Sequence, residues 1–136
     1  MDIRALLVDG TKQMNDWLDD ALKDLSADQV NWLPPGKTVS IGFNAWHILR
    51  TQDNIVNFVL QDRKPPVWIA SGFADRMGLP KVDQGTGMDL ETARSLTFDG
   101  ATLREYGAAV KDASLAFIKS APLVSLGCIM MRKCHL

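Results

Sequence analysis

Two cysteines in 136 residues are too few for a disulfide framework, so the fold has to rest on its core. The opening MDIRALLVDG lacks the apolar h-region of a secretory signal. No hydrophobic run is long enough to span a bilayer; the longest, Leu123 to Met131, falls well short. Charge of one sign is also missing. Lys and Arg number 15 against 16 Asp and Glu, which gives no basic field for nucleic acid or an anionic membrane surface. No glycine-rich phosphate loop follows a strand, and no nucleophile elbow, CxxC or HExxH occurs. With two histidines, any imidazole chemistry must use His47 or His135. What is present, 46% hydrophobic and 23% charged residues, is an ordinary globular composition. We expect one cytoplasmic domain over residues 1–136.

The periodicity is helical throughout. At 100° per residue Ile3, Leu6, Leu7, Met14, Trp17, Leu18, Ala21 and Leu25 fall within an arc of about 120°, the width of a core-facing stripe. Gly10 lies on that stripe and costs about 1 kcal/mol against alanine unless another backbone packs there. Residues 1–31 hold seven Asp against three Lys or Arg, which reads as a solvated face. Ser26-Ala27-Asp28-Gln29 has capping-box spacing and starts a short turn that carries Val30 and Trp32 inward. Pro34-Pro35-Gly36 stops it. Ser40 caps a second long helix from about Ile41 to Leu60, with a stripe of Ile41, Ala45, Ile48, Gln52, Ile55 and Val59, broadened by Leu49 and Val56.

From Gln61 to Asp89 the period breaks at Pro65-Pro66, Ser71-Gly72, Gly78, Pro80 and Gly85-Thr86-Gly87, which marks a long crossover. Trp68, Ile69, Phe73, Met77 and Leu79 suggest that it folds back over the bundle, with one helical turn around Ala74–Met77. Asp89 caps a short helix through Leu96. Asp99 caps a long one whose shared face is Leu103, Tyr106, Val110, Ser114, Phe117, Ile118 and Ala121, ended by Pro122. Trp17 and Trp32 read as core, Trp46 as packing on the crossover, and Trp68 as a loop anchor.

His47 lies about 120° from the centre of its helix's stripe, on a flank with Asn44, Thr51 and Phe58. Two readings follow. It is a boundary histidine bonded to a carbonyl, or a metal ligand or general base facing an interhelical cleft.

The run LSADQVNWLPPGKTVSIGFNAWHILR resembles the DinB-like family of metal-dependent four-helix-bundle proteins. The shared order is Leu25-Ser26, then Trp32-Leu33-Pro34-Pro35-Gly36, then Ser40-Ile41 and His47. The crossover GFADRMGLP, with GTG after it, is similar as well. The likeness covers about residues 1–120, with 121–136 a divergent tail. It implies an all-α, up-and-down four-helix bundle with a long crossover between the second and third main helices and, here, a short or incomplete fourth helix. It also implies a divalent metal, nickel or zinc, held by three histidines, of which the first matches His47. The other two normally form an H-x3-H pair near the C-terminus, and this sequence has none. Cys128, Cys134 and His135 are the soft or imidazole donors of its tail. Relatives of this kind include thiol S-transferases.

Two functions are therefore expected. One is a metal-dependent enzyme of thiol-transferase or hydrolase type with His47 as a ligand. The other is a non-catalytic helical scaffold, dimeric or binding a small molecule, whose metal site has been lost. Apolar faces led by Leu18, Ile55 and Val110 exceed what a short fourth helix covers, so a homodimer is expected, with no nucleic-acid or membrane partner.

Overall fold

The computed structural model describes residues 2–126, which are helical with no strand among them. The elements are α1 (Ile3–Leu22), α2 (Ala27–Asn31), α3 (Ile41–Asp53), α4 (Val67–Ala70), α5 (Phe73–Met77), α6 (Leu90–Ser95) and α7 (Gly100–Ser120). A π-helical segment, Asn54–Val59, continues α3. No described helix is long and apolar enough to cross a membrane.

Five of these helix starts are fixed by a side-chain oxygen at the N-cap that takes an orphan backbone N–H. Asp2, Ser26, Ser40, Asp89 and Asp99 do this for α1, α2, α3, α6 and α7. At Ser26 the box is complete, because Gln29 Oε1 accepts the Ser26 N–H in return. Before Pro122, α7 ends at Ser120, and Arg4 donates to the Ile118 and Ala121 carbonyls at that end. That contact puts the start of α1 beside the end of α7.

At the other end, Val30 packs against both Gly42 and Gly100. α1 thus runs antiparallel to both α3 and α7. Asn15, Gln52 and Ser114 meet where the three long helices converge: Asn15 and Gln52 exchange amide bonds at 3.0 Å, and Gln52 Nε2 donates to Ser114 at 2.9 Å. The crossover lies on the bundle as expected, with Trp68, Phe73 and Leu79 buried. Its first turn, α4, carries no period in the sequence, and Ile69 faces outward.

The α7 face is as predicted, with Leu103, Tyr106, Val110, Ser114 and Ile118 buried. The stripes of α1 and α3 are not. In α1 the buried residues are Asn15 and Leu22, while Leu6, Met14 and Trp17 are exposed, Trp17 to 66%. Trp32 is also outside, 60% exposed, because α2 ends before it and its backbone has turned extended. In α3 the buried set is Gly42, Phe43, Ala45, Trp46, Leu49, Arg50 and Asp53, and Ile41, Ile48 and Ile55 face out. Hydrophobicity misplaces this face because polar side chains occupy it. Leu123 begins another helical turn, and Leu126 packs in a cluster with Ile118, Ala121, Leu7 and Val8. The expected short or incomplete fourth helix falls mostly on residues outside those described.

Two glycines inside helices make opposite predictions. A Cβ on Gly10 would meet nothing within 4 Å, whereas one on Gly42 would come within 2.9 Å of Val30 and of Phe98. Gly10→Ala should therefore stabilise by about 0.5–1 kcal/mol through helix propensity. Gly42→Ala should destabilise by about 1–3 kcal/mol through overpacking. Urea unfolding of the two variants reads both signs.

Candidate functional site

The polar face of α3 organises the site. Asp53, fully buried, accepts hydrogen bonds from the backbone N–H groups of Val67 and Trp68 at 2.9 and 2.8 Å. It also accepts from Asn57 Nδ2 at 2.7 Å and from the Tyr106 hydroxyl at 2.6 Å. Those two N–H groups are orphan donors of the first turn of α4, so the carboxylate acts as an N-cap supplied from another helix. One side chain thereby joins α3, α4 and α7.

One turn earlier, Arg50 is 2% exposed. Its guanidinium lies over the Trp68 ring, 5.5 Å from the centroid, and Nη2 donates to the Lys81 and Val82 carbonyls at 3.5 and 3.2 Å. Nε and Nη1 are buried without a partner among the described residues, as is Trp46 Nε1. Trp68 Nε1 donates to the Pro80 carbonyl at 2.9 Å. Trp46 packs on Trp68 with centroids 6.2 Å apart, and Trp68 on Tyr106 at 5.0 Å. Trp46 and Trp68 thus do what the sequence suggested for each.

His47 stands on the half-exposed flank of α3 with Asn44, Thr51 and Phe58. Its Nδ1 is 2.5 Å from the Gln84 carbonyl, and its ring stacks on Phe43 at 6.2 Å. A carbonyl only accepts, so Nδ1 carries the hydrogen and Nε2 of the neutral ring keeps its lone pair. Gly85, at φ +94°, makes this approach feasible: a Cβ there would lie 3.0 Å from Nδ1 and 3.1 Å from Phe43 Cζ. The Gly85-Thr86-Gly87 loop packs on an imidazole. The bond to a carbonyl is the bland reading of His47, and the same bond is how metal-binding histidines are oriented.

Among the described residues no group of three His, Cys, Asp or Glu side chains could hold a metal ion. On their own, the donors around His47 do not fit the nickel or zinc centre that the resemblance implies. Cys128, Cys134 and His135 lie outside the described residues. A cavity of about 430 Å³ lies elsewhere, between α1 and α7, with Leu18, Leu22, Leu49 and Leu103 in its lining and no contribution from His47. Across its mouth Asp16 pairs with Lys111, and Asp19 with Arg104 at 2.7 Å. The hydrogen bond from Arg104 holds the Asp19 carboxyl below its usual range.

The Asp53 network was not anticipated from the sequence, although Trp46, Arg50, Asp53 and Asn57 share one helical arc that could have signalled it. Its pH signature is specific, because Tyr106 is the only tyrosine. Burial first, then the charge of Asp53 and its hydrogen bond, push the phenol above its ordinary value. A raised folded pKa means that stability is full below about pH 10, the unfolded value. Above it, stability falls by about 1.4 kcal/mol per pH unit as the unfolded chain releases a proton the folded one keeps. Phenolate absorbance should stay absent through about pH 10–11 and rise only with unfolding. Tyr106→Phe should make the alkaline loss of stability shallower.

No curated protein matches this chain at the level of a significant relative. The family model of the DinB superfamily matches residues 11–133, which runs beyond the stretch marked by the sequence motifs. With the helical bundle, the placement of His47 on α3 and a match over most of its length, the chain belongs to the DinB superfamily.

Proposed function

We propose that this chain is a metal-dependent enzyme of thiol-transferase or hydrolase type, with His47 as one ligand of a zinc or nickel ion. The carrying observation is the Nδ1 contact with the Gln84 carbonyl, which leaves Nε2 as the free imidazole donor. Membership of a superfamily whose sequence resemblance implies a metal supports the reading. The other donors would come from outside residues 2–126: the Cys128, Cys134 and His135 segment, or a second copy. Residues already described supply orientation of the ring and nothing further of the ligand shell.

Titration of zinc and of nickel into wild type and His47→Ala tests this. The expected outcome is stoichiometric, submicromolar binding by wild type that His47→Ala abolishes. Equally weak binding in both proteins would overturn it in favour of the second reading, a dimeric scaffold without a metal.

That second reading has its own support in apolar side chains left outside on two helices. Leu6, Met14 and Trp17 on α1 are exposed, as are Ile41 and Ile48 on α3 and Ile55 on its π-helical continuation. Ile48 and Ile55 lie one turn to either side of Gln52, whose bonds to Asn15 hold the two helices side by side. A surface of this kind is suited to a second copy packing by two-fold symmetry. Light scattering should give twice the chain mass for wild type, and Ile48→Glu should shift it to the monomer. A monomeric wild type would dismiss the dimer.

A further inference from the structure

We propose that Arg50 is the positioning residue for His47, acting through the chain segment Pro80–Gly85. This segment is a strap held by its carbonyls. Its side chains at Lys81, Val82 and Asp83 are exposed, Val82 to 87%, so apolar burial does not fix it. Instead the Pro80 carbonyl is taken by Trp68 Nε1, those of Lys81 and Val82 by Arg50 Nη2, and that of Gln84 by His47 Nδ1.

The four captures are linked. Trp68 and Arg50 fix the strap first, because both are buried and stacked on each other. The position of the Gln84 carbonyl, two residues beyond Val82, follows from theirs. Gly85 then has room for a close approach that no Cβ would permit without moving the His47 ring or Phe43.

The cost of Arg50 argues that it is there for orientation. A buried guanidinium with two nitrogens that find no partner among the described residues is a poor way to gain stability, and an apolar side chain of similar volume generally does as well or better. What an apolar residue cannot do is hold two successive carbonyls in one place. Arg50 therefore selects the tautomer of an imidazole it does not touch. This deepens the reading of His47 as a donor, since the selected tautomer is the one that frees Nε2, but it can be measured with no metal present.

The experiment is long-range ¹⁵N–¹H correlation of the imidazole nitrogens in metal-free, chelator-treated protein. It is run at about pH 8.5, well above the ordinary histidine value of about 6.5. His135→Asn assigns the two histidines. Wild type should show His47 protonated on Nδ1. Arg50→Met should lose that signature, with the Nε2-protonated form appearing, while the amide spectrum and near-UV circular dichroism of the buried tryptophans report an intact core. If Arg50→Met does not fold, Arg50→Lys replaces it, keeping the charge without the planar fork, and the same loss is expected. Gly85→Ala, which crowds the ring directly, should also lose the Nδ1 proton. An Nε2-protonated His47 in wild type would overturn the proposal, as would an unchanged Nδ1-protonated ring in a folded Arg50 variant. A failed metal titration would leave this result standing, so the two readings fail separately.

Discussion

The buried carboxylate of Asp53 is the constraint from which the rest of the molecule follows. Its oxygens accept from two backbone N–H groups of α4, from Asn57 and from Tyr106, so the donors come from three separate elements. An ionisable group wholly removed from water is tolerated only when its acceptor sites are filled. The crossover therefore cannot leave α3 without stranding a buried acid. With α4 held, Trp68 is seated between Trp46 and Tyr106, its indole N–H reaches Pro80, and the rest of the crossover is drawn across α3 to the side where His47 stands.

Much of the architecture was legible in the sequence, because caps and uniform stripes are local signals. Ser26, Ser40, Asp89 and Asp99 start helices where their spacing says they should. The face of α7 is read correctly because every position on it is apolar, aromatic or a small serine. α3 is misread for the complementary reason. The inner arc of α3 and its π-helical continuation includes Arg50, Asp53 and Asn57, and the outer arc includes Ile41, Ile48 and Ile55, so the apolar pattern does not centre on the buried face. Pairing between polar groups distant in sequence decides that orientation, and no periodicity encodes it. Trp17 and Trp32 show the converse limit, since large apolar side chains need not be interior.

The site was legible at one residue. His47 stands on the flank that its angle on the helix predicted, and both readings of it meet in the same hydrogen bond. The strap that makes this bond was not visible beforehand. Its sequence, PKVDQGTG, has neither period nor motif, and its conformation is set by donors on α3 and α4. The cavity between α1 and α7 is a separate feature, lined by Leu49 on α3 rather than by His47, so cavity size does not identify the imidazole site.

The way α1 is attached has a consequence for how the protein breathes. Only Asn15 and Leu22 of its twenty residues are buried. It is held by Leu18 and Leu22 against the core, by Leu7 and Val8 against Ile118, by paired amide bonds with Gln52, by the reach of Arg4 to the end of α7, and by two partly exposed ion pairs to Lys111 and Arg104. The ion pairs weaken with ionic strength, whereas the aromatic core shared by α3, α4 and α7 does not depend on it. Salt therefore lowers the cost of opening α1 without weakening the Asp53 network. Detachment of α1 would expose Leu49 and the Gln52 side of α3 while leaving Asp53, the crossover and the ring of His47 in place.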